Sequence, residues 1–125
     1  MARRFQTFLA AAMLFGSAGP AFADKVDLLL QKSREAEHLG HHEQALGLAQ
    51  SAIVADPARA SSYTALGELY MAQNQTEYAR FYFNEALNID PQERAATEGI
   101  ARAEAAENSG PAAAARSLDN PEGAH

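Results

Sequence analysis

The sequence predicts an all-α chain made of short helix pairs in tandem, and three observations carry that prediction. Ala45, Ala49, Ala52, Asp56 and Pro57 recur in order as Ala79, Phe83, Ala86, Asp90 and Pro91, every pair separated by the same interval and four of the five identical. Both copies stop at Asp-Pro. There the residue before proline is steered out of the α region and the ring removes the next helical donor. Small residues also recur where paired helices must approach closely: Ala45 and Ala79 on one helix of each pair, with Gly67 facing them, and Ala52 and Ala86 towards the next pair.

The elements follow in order. A first helix is expected from Asp24 or Lys25 to Leu39, with Asp24 as N-cap and Gly40 in the left-handed position after its end. A second spans Glu43 to Ala55 and halts at Asp56-Pro57. The third covers Arg59 to Gln73, with Asn74 as its C-terminal break. Thr76 is the expected cap of a fourth helix from Glu77 to Ile89, and Asp90-Pro91 repeats the stop. A fifth runs from Glu93 to Glu107. Leu66, Tyr70, Phe83 and Ile89 are the expected fillers between helices.

In the second copy, Tyr63-x2-Leu66-Gly67-x2-Tyr70 precedes Ala79-x3-Phe83 and Pro91. The run resembles the tetratricopeptide repeat (TPR), a 34-residue helix–turn–helix unit of pattern W-x2-L-G-x2-Y…A-x3-F…P, with Tyr63 in place of the tryptophan. The resemblance implies about two and a half repeats forming a short right-handed solenoid. Repeats at about 26–59 and 60–93 would be followed by a capping helix at about 94–108. The first copy is degenerate, with Lys32, Ser33 and Ala36 where the second has Leu66, Gly67 and Tyr70. A terminal repeat with one wet face accounts for that, and so does a loosely packed first helix.

Residues 1–23 read as a cleavable signal peptide. Arg3 and Arg4 form a positive start, Phe8 to Phe15 a short apolar run, and Ala21-Phe22-Ala23 a small-residue cleavage site. Gly16, Gly19 and Pro20 interrupt the apolar run well before the roughly 20 residues a spanning helix needs. No stable membrane insertion is expected after cleavage, and the expected location is the periplasm, with release from the cell as the alternative. Such compartments are oxidising, yet the chain has no cysteine, so disulfide and thiol chemistry are excluded. The formal net charge is −6, and loss of Arg3 and Arg4 makes it two units more negative. An acidic chain is poorly suited to nucleic acid or an anionic bilayer, where binding rests on cations meeting phosphates. Residues 109–125, with Gly110, Pro111, Ala112 to Ala115, Pro121 and Gly123, lose all apolar periodicity and read as a disordered tail. Folding of that tail on a partner is the alternative.

Chemistry has few places to reside. His38 and His42 have the four-residue spacing that lets two imidazoles share a metal, but Gly40 ends the helix between them. His41 and His42 then fall in a turn; a solvated turn and a weak zinc or copper site completed by Glu37 or Glu43 are the two readings. Ser33, Ser51, Ser61 and Ser62 lie within helices without a nucleophile-elbow turn. The acids are scattered over helical faces as solvating charges. We therefore expect neither an enzyme nor a cofactor.

By the resemblance, the first helix of each repeat lines a concave groove that holds a peptide or partner helix. The matching positions form three rows: Leu30, Thr64 and Glu98; Arg34, Glu68 and Arg102; His38, Ala72 and Ala106. The middle row alternates in sign, so neighbouring helices can pair across the groove. As exposed pairs such contacts contribute only about 0–1 kcal/mol each. One TPR subclass captures C-terminal carboxylates with a clamp of Lys, Asn and Arg. The corresponding positions here are Leu30, Arg34, Ala65, Ala95 and Gly99, of which only Arg34 is suitable. Carboxylate capture is not carried over. Phe81 stands on a polar stripe with Glu85 and Asn88, as a contact surface or as packing against the fifth helix or the tail. The expected function is that of an adaptor or scaffold for a protein or peptide partner in a cell-envelope assembly. The alternatives are a metal or small-ligand module using the His38/His41/His42 turn, or a homo-oligomeric structural subunit.

Overall fold

The computed structural model describes residues 24–110, which form five α-helices with no strand among them. They are α1 (Lys25–His38), α2 (His42–Ala55), α3 (Ala60–Ala72), α4 (Thr76–Ile89) and α5 (Arg94–Ser109). The expected signal segment and most of the expected tail lie outside the described residues.

Local chemistry accounts for each boundary. The Asp24 carboxylate caps α1 by accepting from the Asp27 backbone N–H at 2.9 Å. Gly40 closes it in the left-handed conformation, φ +80°. The N–H groups of Gly40 and His41 reach back to the carbonyls of Glu37 and Ala36, both at 2.9 Å, which is the Schellman pattern. The same device returns one repeat later, at the end of α3. Asn74 has φ +59°, its N–H bonds Met71 O at 3.0 Å, and that of Gln75 bonds Tyr70 O at 2.9 Å. Each Asp-Pro stop also has a repeated internal bond: Asp56 Oδ1 accepts from Ala58 N at 3.1 Å, and Asp90 Oδ1 from Gln92 N at 2.9 Å. These aspartates end one helix and shape the turn into the next.

Seven of the ten helix ends lie one or two residues from expectation, three of them as follows. Thr76 is the first residue of α4 and caps nothing; Gln75 holds the N-cap position without a side-chain bond. The tight turn at Asn74 needs only Gln75 as connector, so the helix resumes before the hydroxyl can cap it. α2 likewise starts one residue early, at His42. α5 runs through Ser109, whose hydroxyl donates to the Ala105 carbonyl at 2.8 Å, so the break falls at Gly110.

α1 pairs with α2 and α3 with α4, and α5 closes the open side of α4 while touching α3. Phe83 centres the second pair, fully buried with Ala60, Ala79, Ala86 and Ala96. Its ring occupies the space that side chains at Gly67 and Gly99 would need. A Cβ built at Gly67 would lie 2.6 Å from Phe83 Cδ1, and one at Gly99 2.6 Å from Cε1. The expected Gly67–Ala79 approach is therefore corrected: Gly67 receives the Phe83 ring, and Ala79 is buried beside it. Ile89, expected as filler, is 37% exposed at the end of α4.

The first pair solves the same packing problem with smaller parts. Ser33, Ala49 and Ala65 stand one repeat before Gly67, Phe83 and Gly99. Ala49 is fully buried, and the buried Ser33 hydroxyl donates to the Ala45 carbonyl at 2.8 Å. Ser33 thus cross-links α1 to α2, so α1 is not loosely packed, and Ala36 joins the core with Leu66 and Leu69. Between repeats, Arg59 at the start of α3 reaches back to Asp24 and Asp27 of the first copy. Nη1 lies 3.0 Å from Asp24 Oδ1 and 3.1 Å from Asp27 Oδ1, and Nε lies 3.5 Å from Asp56 Oδ2.

Candidate functional site: the groove of α1, α3 and α5

The first helices of the successive repeats, α1, α3 and α5, line a groove of about 340 Å³. Its floor is small and mostly apolar, made by Ser33, Thr64, Ala65, Leu69 and Ala95. Arg34, Glu37 and His38 rise from α1, Ser61 and Glu68 from α3, and Glu93 from the N-cap of α5. Each is held by its helix, so the groove is built before any partner arrives.

Of the residues expected to form it, Arg34, His38, Thr64 and Glu68 line the groove. Thr64 does so with little accessible surface, because it is 7% exposed and its hydroxyl turns to the Ala60 carbonyl at 3.2 Å. Leu30 is corrected: it is 4% exposed and packs with Val26 and Ala52 beneath the surface. That position lies deep because Ala52 opens space for it on α2. Ala72, Glu98, Arg102 and Ala106 are exposed but do not line the cavity, since they stand towards the far ends of α3 and α5 or beyond its rim. Ser61, Ala65 and Ala95 were missed on a groove-lining row. Ser61 and Ala95 are themselves one repeat apart, so shifting the rows along the helices would have found them.

The electrostatics are asymmetric. Glu68 accepts from both terminal nitrogens of Arg102, Nη1 at 3.1 Å, so the expected alternating row closes on one side only. That pairing draws the Arg102 guanidinium into its charged form still more strongly. Glu37 is engaged by the His42 ring at 2.9 and 3.0 Å. Among the described residues, Arg34 and Glu93 make no ion pair. The groove therefore presents an available cation on the α1 wall and an available carboxylate on the α5 wall, with an apolar floor between.

In the histidine turn, the His42 ring faces the Glu37 carboxylate. His42 is committed to Glu37, and no group of three or more His, Asp or Glu side chains among the described residues is placed to hold a metal. Phe81 is 56% exposed, with its ring 5.1 Å from that of Tyr82 at 83°; the tail, its other expected contact, lies outside the described residues. Among the described residues no helix is long and apolar enough to cross a membrane.

Comparison with known proteins agrees with this architecture. The family model described as Tetratricopeptide repeat matches residues 60–93, the segment that holds α3, α4 and their turns. No curated protein matches the chain. Such repeats generally mediate protein–protein interactions, and proteins that carry them are typically non-enzymatic adaptors. With the helix pairs, the repeated turns and the matched segment in one phase, the described residues form an all-α array consistent with a tetratricopeptide-repeat solenoid, of which residues 60–93 match the repeat itself.

Proposed function

We propose that this protein is an exported adaptor whose groove between α1, α3 and α5 holds an extended segment or helix of an envelope protein. The observation that carries this reading is the groove itself: a preformed apolar floor flanked by Arg34 on one wall and Glu93 on the other. A segment with small apolar residues between an acid and a base would satisfy all three features at once. Binding would rest on shape and on two charge-assisted contacts, with no bond made or broken. Export is supported by the arginines, the apolar run and Ala21-Phe22-Ala23, which would leave Asp24 as the first residue of the mature chain. That start coincides with the N-cap of α1.

Two measurements test the reading. Intact mass of protein recovered from the cell envelope fraction should correspond to a chain beginning at Asp24, and a retained Met1 would remove export from the account. A photo-crosslinking residue placed at Ala95 should give a discrete heterologous adduct that Arg34→Glu abolishes. The same residue at Ala105, on the outer face of α5, should give none. Equal adducts from both positions would contradict a groove-borne interaction.

A further inference from the structure

α4 turns a second, aromatic face away from the groove. The Tyr70 and Tyr82 rings stack with centroids 5.4 Å apart and planes 1° from parallel. Tyr78 stacks on the other contact of Tyr70, also at 5.4 Å, and Phe81 stands edge-on to Tyr82. Glu77, Tyr78, Phe81 and Tyr82 line an open cleft of about 460 Å³ that shares no residue with the groove. Tyr78 is 61% exposed and Phe81 56%, although one exposed ring alone would need no explanation. Two adjoining ones on a stacked aromatic base form a surface of the kind found at interface centres.

The charge on the cleft wall is negative. Glu77 lines the cleft, and burial, with a smaller contribution from Glu43 of α2, pushes the Tyr70 hydroxyl above its ordinary value. Arg80, on the same helix, is held by Glu107 of α5 at 2.7 Å. Glu77 makes no ion pair among the described residues. The faces of the rings are themselves electron-rich.

We propose that this cleft is a docking site for an arginine-bearing segment of a partner protein, with the guanidinium stacked on the exposed rings and paired to Glu77. The planar guanidinium suits the site better than an ammonium, because it can stack on a ring and offer an in-plane N–H pair to a carboxylate together. A second copy of this chain is disfavoured as occupant. It would bring the same carboxylates and a net charge of −6 to a surface already negative.

The test is an NMR titration of the full chain with a synthetic Arg-Pro repeat peptide, with Lys-Pro and Glu-Pro peptides as comparators. The Arg-Pro peptide should move the ring resonances of Tyr78 and Phe81 saturably, and Phe81→Ser and Glu77→Gln should each weaken it by about tenfold, the scale of a partly desolvated cation–π or ion pair. Both positions are exposed, so the melting temperature of either variant should stay put, and the second variant answers if the first does not fold. The Lys-Pro peptide should bind more weakly and the Glu-Pro peptide not at all. Unchanged affinity in both variants, shifts confined to the groove, or equal binding of Glu-Pro would overturn the assignment. So would deletion of residues 111–125 that by itself moves the Tyr78 and Phe81 resonances and tightens peptide binding, since the occupant would then be the chain's own Arg116.

Discussion

The Phe83 ring rests on the backbone of Gly67, so close that no side chain at Gly67 could share the space. Gly99 of α5 comes equally close to the tip of the same ring. One aromatic thus joins three helices, two of the second repeat and the one that closes the array. The groove depends on this junction, because Ala95 and Glu93 are carried into place by α5.

Gly67→Ala and Gly99→Ala should each destabilise the fold by roughly 1–3 kcal/mol through overpacking. Phe83→Ala should cost about 3–5 kcal/mol by leaving a cavity. The combination Gly67→Ala with Phe83→Leu should cost less than the sum, because the smaller side chain vacates the clash. Urea unfolding of these variants and of Phe83→Leu alone measures this. Additive losses in the double variant would show that the ring and the glycine do not share one space.

The two Schellman turns make a second prediction. Asn74 holds a positive φ that glycine adopts without strain, so Asn74→Gly should stabilise the protein by up to about 1 kcal/mol. Gly40→Ala should destabilise it by about 1–2 kcal/mol, since nothing crowds a Cβ there and only the backbone conformation opposes one. Thermal melts of both variants decide it; a shift of Gly40→Ala in the stabilising direction would contradict the turn assignment.

The inter-repeat clamp predicts a pH dependence. The Arg59 guanidinium, with the Asp27 N–H, holds the Asp24 carboxyl below its ordinary value. A depressed carboxyl stabilises the folded state above the unfolded value of about 3.9 and loses that contribution as pH falls through the folded value. Stability should therefore decline as pH drops below about 4, and Arg59→Met should flatten that decline while lowering stability at neutral pH. Denaturation curves at a series of pH values measure it, and an unchanged acid limb in the variant would sink the coupling.

What was legible in the sequence was whatever the chain states twice. Ala45 and Ala79, the Asp-Pro stops and the left-handed Gly40 and Asn74 recur in one phase, and the helices fall where those signals put them. What broke the period was hidden. The counterpart of Arg59 in the next repeat is Glu93, of opposite charge, so no repeat signal marked the clamp with Asp24 and Asp27. The exchange of Gly67, Phe83 and Gly99 for Ser33, Ala49 and Ala65 looked like decay when each position was read alone. It is a compensated set once the three helices are seen to meet. Leu30 was placed in the groove by its match to the repeat, and such a match does not report how deep a position lies beneath its neighbours.

The groove as a partner site is tested most directly by filling it. Ala95 sits on the floor at the first turn of α5 and is half-buried. We predict that Ala95→Trp leaves the helical signal and melting temperature near those of the wild type, while the Kd for the partner found by crosslinking rises by at least about tenfold, the loss of one well-packed contact. Undiminished affinity with a tryptophan in the groove would contradict the account.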